Sequence, residues 1–285
     1  MINYFLYRFG QWLALTLPIK FSYKLAEFFS DLHSLFSGKD RRDVAYNLKT
    51  IFPFKSDKEI SVIRRQMKRN FGKYLVDFFR FSLIDEEYIK KHVRIENIGY
   101  VQEALSLGKG VVALTAHLGN WELAGVATAL SGHDLWAVAL EHKNKKVNDF
   151  FNAQREGKRV HVIPFSSAVR QCLAVLRQKR VLALVGDRDF HGKGIMVDFF
   201  GKPAKLPLGP AVFSLKTGSP VVPGFLIREG SADNFRLVFE KPIILSPSGD
   251  TEKDIKELVL AGKVVLEKYI RMYPDQWFTF RRFWV

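Results

Sequence analysis

Along residues 41–83 the apolar positions Val44, Leu48 and Ile51, then Ile60, Ile63, Met67, Phe71, Leu75, Phe78 and Phe79, recur mostly three and four apart. That spacing keeps them on one face of a helix and predicts a helical preface that runs to about residue 90. After His92 the texture changes to short runs of β-branched and aromatic residues at 111–115, 135–140, 160–163, 181–185, 221–227 and 235–240. Between them lie segments that predict helices at 118–130, 145–155, 168–178, 209–216 and 251–273. Strands alternating with helices predict an α/β fold, a central mixed β-sheet flanked by helices. No Pro/Gly/Ser linker separates preface from sheet, so residues 37–285 read as one domain.

Residues 1–36 form a segment apart. They are rich in aromatic and apolar side chains but interrupted by Arg8, Pro18, Lys20 and Lys24, and the longest uncharged run, from Phe9 to Ile19, is short. A spanning helix needs about 20 predominantly apolar residues, and no small-x-small cleavage site of a signal peptide follows. The expectation is an uncleaved helical membrane-associating segment that lies on the bilayer. Tyr4, Phe5, Tyr7, Phe9 and Trp12 suit the headgroup layer, and Arg8, Lys20 and Lys24 attract anionic lipid. A helix pair packed on the protein body, or a single tilted span, are the alternatives.

Composition narrows the classes. Of 285 residues, 47% are hydrophobic and 26% charged, which excludes a disordered chain. Phe is in excess at 25 residues, more than an ordinary soluble core requires, as expected if some of it meets lipid. The 44 Lys and Arg against 29 Asp and Glu give a net charge of +15, a field that attracts nucleic acid, anionic membrane or an acidic protein. No zinc-finger spacing, RNP1-like block or helix-turn-helix pattern is present and the basic residues are scattered, so a nucleic-acid partner is not expected. Cys172 is the single cysteine; it allows no intrachain disulfide, reads as a small buried hydrophobe, and fits a cytosol-facing protein. His33, His92, His133, His142, His161 and His191 show no metal-ligand spacing, and neither a metal nor a cofactor is expected.

The chemistry concentrates at 110–125, GVVALTAHLGNWELAG. A strand runs into His117 and a helix follows, with Gly119 and Asn120 in its first turn and Glu122 one step deeper. Ligands of open α/β sheets bind at such carboxyl ends of strands. An imidazole there can act as a general base if a carboxylate holds its other nitrogen, and Glu122 could fold back to do so. The helix N-terminus offers backbone N–H groups to an oxyanion. A His satisfied as the cap of the turn is the bland alternative. Arg188, after the 181–185 strand, falls on the same sheet edge, where it could bind phosphate or carboxylate bidentately or pair with Asp187, Asp189 or Asp198. The hydrolase signature Gly-x-Ser-x-Gly, a Walker A loop and a Gly-x-Gly-x-x-Gly turn are all missing.

HLGNWELAG resembles the His-x4-Asp/Glu block of the lysophospholipid acyltransferase superfamily, in particular its lipid A biosynthesis (lauroyl/myristoyl) acyltransferase family. The blocks VGDRDF at 185–190, GKGIMVDFFGKP at 192–203, LPLGPA at 206–211 and TGSPVVP at 217–223, with PDQWF at 274–278 and Arg281–Arg282, follow in an order similar to that family and to phosphatidylinositol mannoside acyltransferases. The resemblance spans nearly the whole chain; Asp187-Arg188-Asp189 is closer to the mannoside branch, HLGNWE to the lipid A branch. It implies a membrane-associated O-acyltransferase at the cytoplasmic face of a bacterial inner membrane. The donor would be an acyl thioester of acyl carrier protein or coenzyme A, and the acceptor a glycolipid hydroxyl such as that of a lipid A precursor. A mannoside-type or lysophospholipid acceptor is the alternative, and a non-catalytic lipid-binding relative a distant one. The implied roles are His117 as base and Glu122 as its partner in direct transfer. Asn120, Glu141, Arg155, Asp187 and Arg188 would contact substrate, Glu141 and Arg155 because they match acceptor-site positions of the mannoside enzymes.

Overall fold

The computed structural model describes residues 2–190, 192–230 and 232–284; His191 lies outside them, as does Met1 at the start of the expected membrane segment. Four helices lead: α1 (Ile2–Thr16), α2 (Ile19–Phe36), α3 (Gly38–Ile51) and α4 (Asp57–Phe79). Pro18, which has no N–H to continue a helix, makes the corner between α1 and α2. Ser56 and Glu59 start α4 with a reciprocal capping box. After α5 (Glu86–His92) come β1 (Val93–Glu96), α6 (Gly99–Ser106), β2 (Val111–Thr115), α7 (Trp121–Leu130), β3 (Leu135–Ala139), α8 (Lys145–Glu156), β4 (Val160–Pro164), α9 (Ala168–Arg177) and β5 (Val181–Val185). Then follow β6 (Ile195–Phe199), β7 (Lys202–Leu206), α10 (Gly209–Thr217), β8 (Val221–Glu229), β9 (Asn234–Phe239) and α11 (Thr251–Met272).

The main sheet has the order β1-β9-β8-β2-β5-β3-β4. Every neighbouring pair is parallel except β8 and β9, so the sheet is mixed and flanked by helices, as the alternation predicted. Its central strands β2 and β5 are near-continuous apolar runs because both faces are covered. They pair in register, Thr115 beside Val185, so the chains leave the sheet side by side.

Three strands escaped the sequence pattern. β1 is a four-residue edge, too short to declare a period. β6 and β7, which fall outside the expected strands, form a separate antiparallel hairpin. Its period-two burial, Val197 and Phe199 against Ala204 and Leu206, was hidden by charged residues on the outer face. The expected 118–130 helix also starts later. Leu118 bridges to Trp277 and Gly119 turns the chain at φ +62°, which puts Gly119 and Asn120 before the first turn.

α2 lies along α4, so close that a Cβ on Gly72 would meet Ser30 Oγ at 2.6 Å and the Ala26 carbonyl at 3.1 Å. The outer faces of α1 and α2 expose Phe5, Leu6, Phe9, Trp12, Phe21, Phe28, Leu35 and Phe36. Tyr4 and Tyr7 depart from the expected headgroup rings: both turn inward, Tyr7 onto Phe79, Phe150 and Phe151. Among the described residues no helix is long and apolar enough to cross a membrane.

A buried polar network ties this layer to the sheet. Asp77 on α4 accepts from Tyr23 Oη on α2 at 2.5 Å, from Asn120 Nδ2 at 3.0 Å and from the guanidinium of Arg228 on β8. Removing one member of a buried ion pair leaves an uncompensated charge, whereas removing both does not. Asp77→Ala is therefore expected to cost about 3–5 kcal/mol in denaturant unfolding, and Asp77→Leu combined with Arg228→Met should lie closer to the wild-type value than Asp77→Ala alone.

Candidate active site

His117 stands two residues beyond the end of β2, and Asp187 two residues beyond the end of β5. Because those strands pair in register, the two side chains meet: His117 Nδ1 is 2.8 Å from Asp187 Oδ1, and the His117 backbone N–H donates to the same oxygen at 3.1 Å. Trp277 Nε1 donates to Asp187 Oδ2 at 2.8 Å. Asp187 is fully buried. Burial alone would raise its pKa, but the facing His117, with Arg188 and the Trp277 indole, holds the carboxyl well below the usual range. A carboxylate on Nδ1 fixes the tautomer that leaves Nε2 as the accepting nitrogen. Nε2 makes no hydrogen bond among the described residues, and the side chain keeps 18% exposure. Trp121 and Phe190 meet the ring edge-to-face at 5.1 and 5.9 Å.

The carboxylate that holds His117 is thus Asp187, and the expectation that Glu122 folds back onto the ring is corrected. Glu122 sits in the first turn of α7 and takes a bidentate pair from Arg155 on α8, Nε to Oε2 at 2.8 Å and Nη2 to Oε1 at 2.6 Å. That pairing commits both groups to each other; burial works against the Arg155 charge, but Glu122 outweighs it and raises the guanidinium pKa. Asn120 is buried, with Oδ1 accepting from Leu123 N at 3.0 Å as the N-cap of α7 while Nδ2 holds Asp77, so neither end of its amide is left for substrate. The N–H groups of Gly119 and Asn120 are also used, by the carbonyls of Gln276 and Leu226; with Leu123 bonded to the cap, these three are not oxyanion donors. Glu141 lies past β3 on the same rim but two strands from His117, where it accepts from Ser166 N and Oγ at 3.1 Å.

Arg188 is in the site. It reaches the Phe278 carbonyl and Thr279 Oγ1, the latter at 2.7 Å, and its buried Nε, 3.9 Å from Asp187 Oδ2, makes no hydrogen bond among the described residues. Two contributions were missed from sequence. The segment 276–279 laces the site shut: Gln276 accepts from Gly119 N, Trp277 holds Asp187, and Phe278 N donates to the His117 carbonyl at 2.9 Å. Only its likeness to a family ending marked it, with no chemistry attached. Gly119 is irreplaceable by geometry, since a Cβ there would stand 1.9 Å from the Leu226 carbonyl at positive φ. Cys172 is buried on α9 and burial pushes its thiol up to about 12, the opposite of an activated nucleophile. Among the described residues no cluster of His, Cys, Asp and Glu could hold a metal.

From Trp121 a run of rings leads away from His117. Tyr74 stacks on Trp121 at 4.5 Å, and Phe71 meets Tyr74 at 5.6 Å and Phe280 at 5.0 Å. Phe71 and Phe280 are also walls of an apolar cavity of about 490 Å³ between α1, α2 and α4.

The whole chain, residues 1–285, matches the family model described as bacterial lipid A biosynthesis acyltransferase. A phosphatidylinositol mannoside acyltransferase of Mycobacterium tuberculosis is 28% identical over 222 residues, 76% of this chain and 68% of that protein. One of Mycolicibacterium smegmatis is 27% identical over 220 residues, 76% and 70% of the two chains. Among solved structures, the 1-acyl-sn-glycerophosphate acyltransferase of Thermotoga maritima aligns over 87% of this chain and 98% of its own at 13% identity, with a TM-score of 0.36, too low to carry an argument.

The Asp187 geometry makes stability depend on pH. With its folded pKa depressed, Asp187 contributes stability that is present above the unfolded carboxyl pKa of about 4 and is lost as pH falls through the folded value. Unfolding free energy from denaturant titrations is expected to fall progressively as pH drops below about 4, and Asp187→Asn should show a shallower slope there; an unchanged slope would contradict the assignment.

Proposed function

This chain belongs to the bacterial lipid A biosynthesis acyltransferase family and is a lipid acyltransferase, and we propose that it moves a fatty acyl group from a thioester to a glycolipid hydroxyl by direct transfer, with His117 as general base and Asp187 as the group that holds it. The reading rests on the 2.8 Å contact between His117 Nδ1 and Asp187, which leaves Nε2 as the nitrogen able to accept a proton. Nε2 takes the proton of the acceptor hydroxyl as its oxygen attacks the thioester carbonyl. The tetrahedral intermediate collapses with loss of the carbon–sulfur bond, and the imidazolium returns the proton to the departing thiolate. Arg188, with its Nε 3.9 Å from Asp187 Oδ2, adds a positive charge beside the pair. Glu122 and Arg155 tie α7 to α8 beside Trp121, the residue before Glu122.

The donor carrier is acyl carrier protein or coenzyme A, either steered in by the +15 field. The acceptor is a lipid A precursor; a mannosylated phosphatidylinositol is the second reading, favoured by what the mycobacterial relatives are named for. α1 and α2 would rest on the cytoplasmic face of the inner membrane with their exposed Phe, Trp and Leu side chains in the interface and Lys20 and Lys24 at its headgroups. The exposed rings on both helices support that placement.

The test is transfer of labelled acyl groups from acyl carrier protein and from coenzyme A to lipid A precursor and to mannosylated phosphatidylinositol. His117→Ala is expected to lower turnover by about 10²–10⁴-fold. Cys172→Ala should leave turnover intact, since no acyl-enzyme forms. Asp187→Asn should lose more rate than Glu122→Gln, and the reverse order would restore Glu122 as the partner of the base.

A further inference from the structure

The cavity between α1, α2 and α4 is apolar except at particular points. Its walls run along α2 from Ser22 to His33, eleven residues or about 16 Å at ~1.5 Å per residue, and its volume of about 490 Å³ lies within the range of small-ligand pockets. Ser22 is one of its walls, with a hydroxyl that is buried and without a hydrogen-bond partner among the described residues. At the other end stands Lys68, a lysine only 6% exposed. Its ammonium donates to Ser37 Oγ at 2.5 Å, and among the described residues it has no ion pair. Desolvation lowers its pKa and that of Arg64; Arg64 and Arg41 repel Lys68, and Asp40 is the acidic group facing it. The neighbouring cations of α4 are spoken for: Arg65 and Arg69 share Asp31, and Lys73 pairs with Glu27 at 2.6 Å.

At the end of this greasy channel the cations Lys68, Arg41 and Arg64 stand against the carboxylate of Asp40, an excess of positive charge that is costly to bury unless an anionic ligand completes it. The chemistry that does so has an anionic head and a long apolar tail. We propose that this cavity is a binding site for an anionic lipid, with one acyl chain between α1, α2 and α4 and its phosphate on Lys68, Arg41 and Arg64. Lys68 lies six residues back along α4 from Tyr74, about 9 Å at ~1.5 Å per residue, and Tyr74 stacks on the Trp121 that flanks His117. A lipid held here sits beside the transfer site with its head at the edge of the exposed α1–α2 face. The inference deepens the reading of a glycolipid acceptor by naming where an anionic lipid is held.

The test uses the full chain carrying His117→Ala, so that binding is read without turnover and its failure is distinct from failure of the transfer reaction. Calorimetric titrations in nonionic detergent compare dioctanoyl phosphatidylglycerol, dioctanoyl phosphatidylcholine and inorganic phosphate. Saturable one-to-one binding of the phosphatidylglycerol is expected, with at least tenfold weaker binding of the zwitterionic lipid and none of phosphate alone, which lacks the tail. Lys68→Met keeps the volume and removes the charge, and should weaken phosphatidylglycerol binding about tenfold or more. Leu75→Trp keeps every charge and fills the cavity, and should weaken both lipids. Equal affinity for the two lipids, binding of phosphate alone, or wild-type affinity in either variant overturns the proposal.

Discussion

A carboxylate with no exposure to water cannot stay charged unless the protein answers it from several sides. Asp187 is answered by the imidazole and backbone N–H of His117, by the Trp277 indole and, at 3.9 Å, by Arg188. These donors come from the end of β2, from the chain after α11 and from the turn after β5. The demand of one buried charge therefore fixes three distant pieces of sequence against one another. The same demand orients the imidazole, so that the group proposed as base and the keystone of the local fold are one device.

The division of acidic residues between roles follows from what each can reach. Asp187 stands at the open edge of the sheet and meets His117; Glu122, five residues from His117 in the chain, is turned by the first turn of α7 toward α8 and meets Arg155. Asp77, also buried, joins the N-terminal helices to the α7 cap through Tyr23, Asn120 and Arg228. The layer with exposed apolar side chains is thereby fastened to the turn that bears the imidazole. Surface pairs such as Lys145 with Asp149 contribute little by comparison, because water already solvates both partners.

Much of this was legible in the residues, and the boundary of legibility has a physical cause. The strands at 111–115 and 181–185 stood out because a central parallel strand is apolar on both faces, and they coincide with β2 and β5. His117 stood out because it ends one of them. Its partner did not, because sequence distance favoured Glu122 and only the pairing of β2 with β5 brings Asp187 close. Asn120 read as a contact for substrate because a cap and a ligand donor use the same amide. The β6–β7 hairpin went unseen because exposed charges masked a two-residue period, and the work of Gln276 and Trp277 was invisible because their partners lie more than 45 residues away.

The in-register pairing of β2 with β5 also sets what kinds of length change the chain can absorb. One residue inserted or deleted within either strand would slide its end by about 3.3 Å and reverse which face each following side chain presents. Imidazole and carboxylate would then leave the sheet on opposite sides. The loop between β3 and α8, with exposed residues at its tip, has no such bookkeeping to respect. Divergent descendants of this chain can grow or shrink there, while β2 and β5 must keep their count.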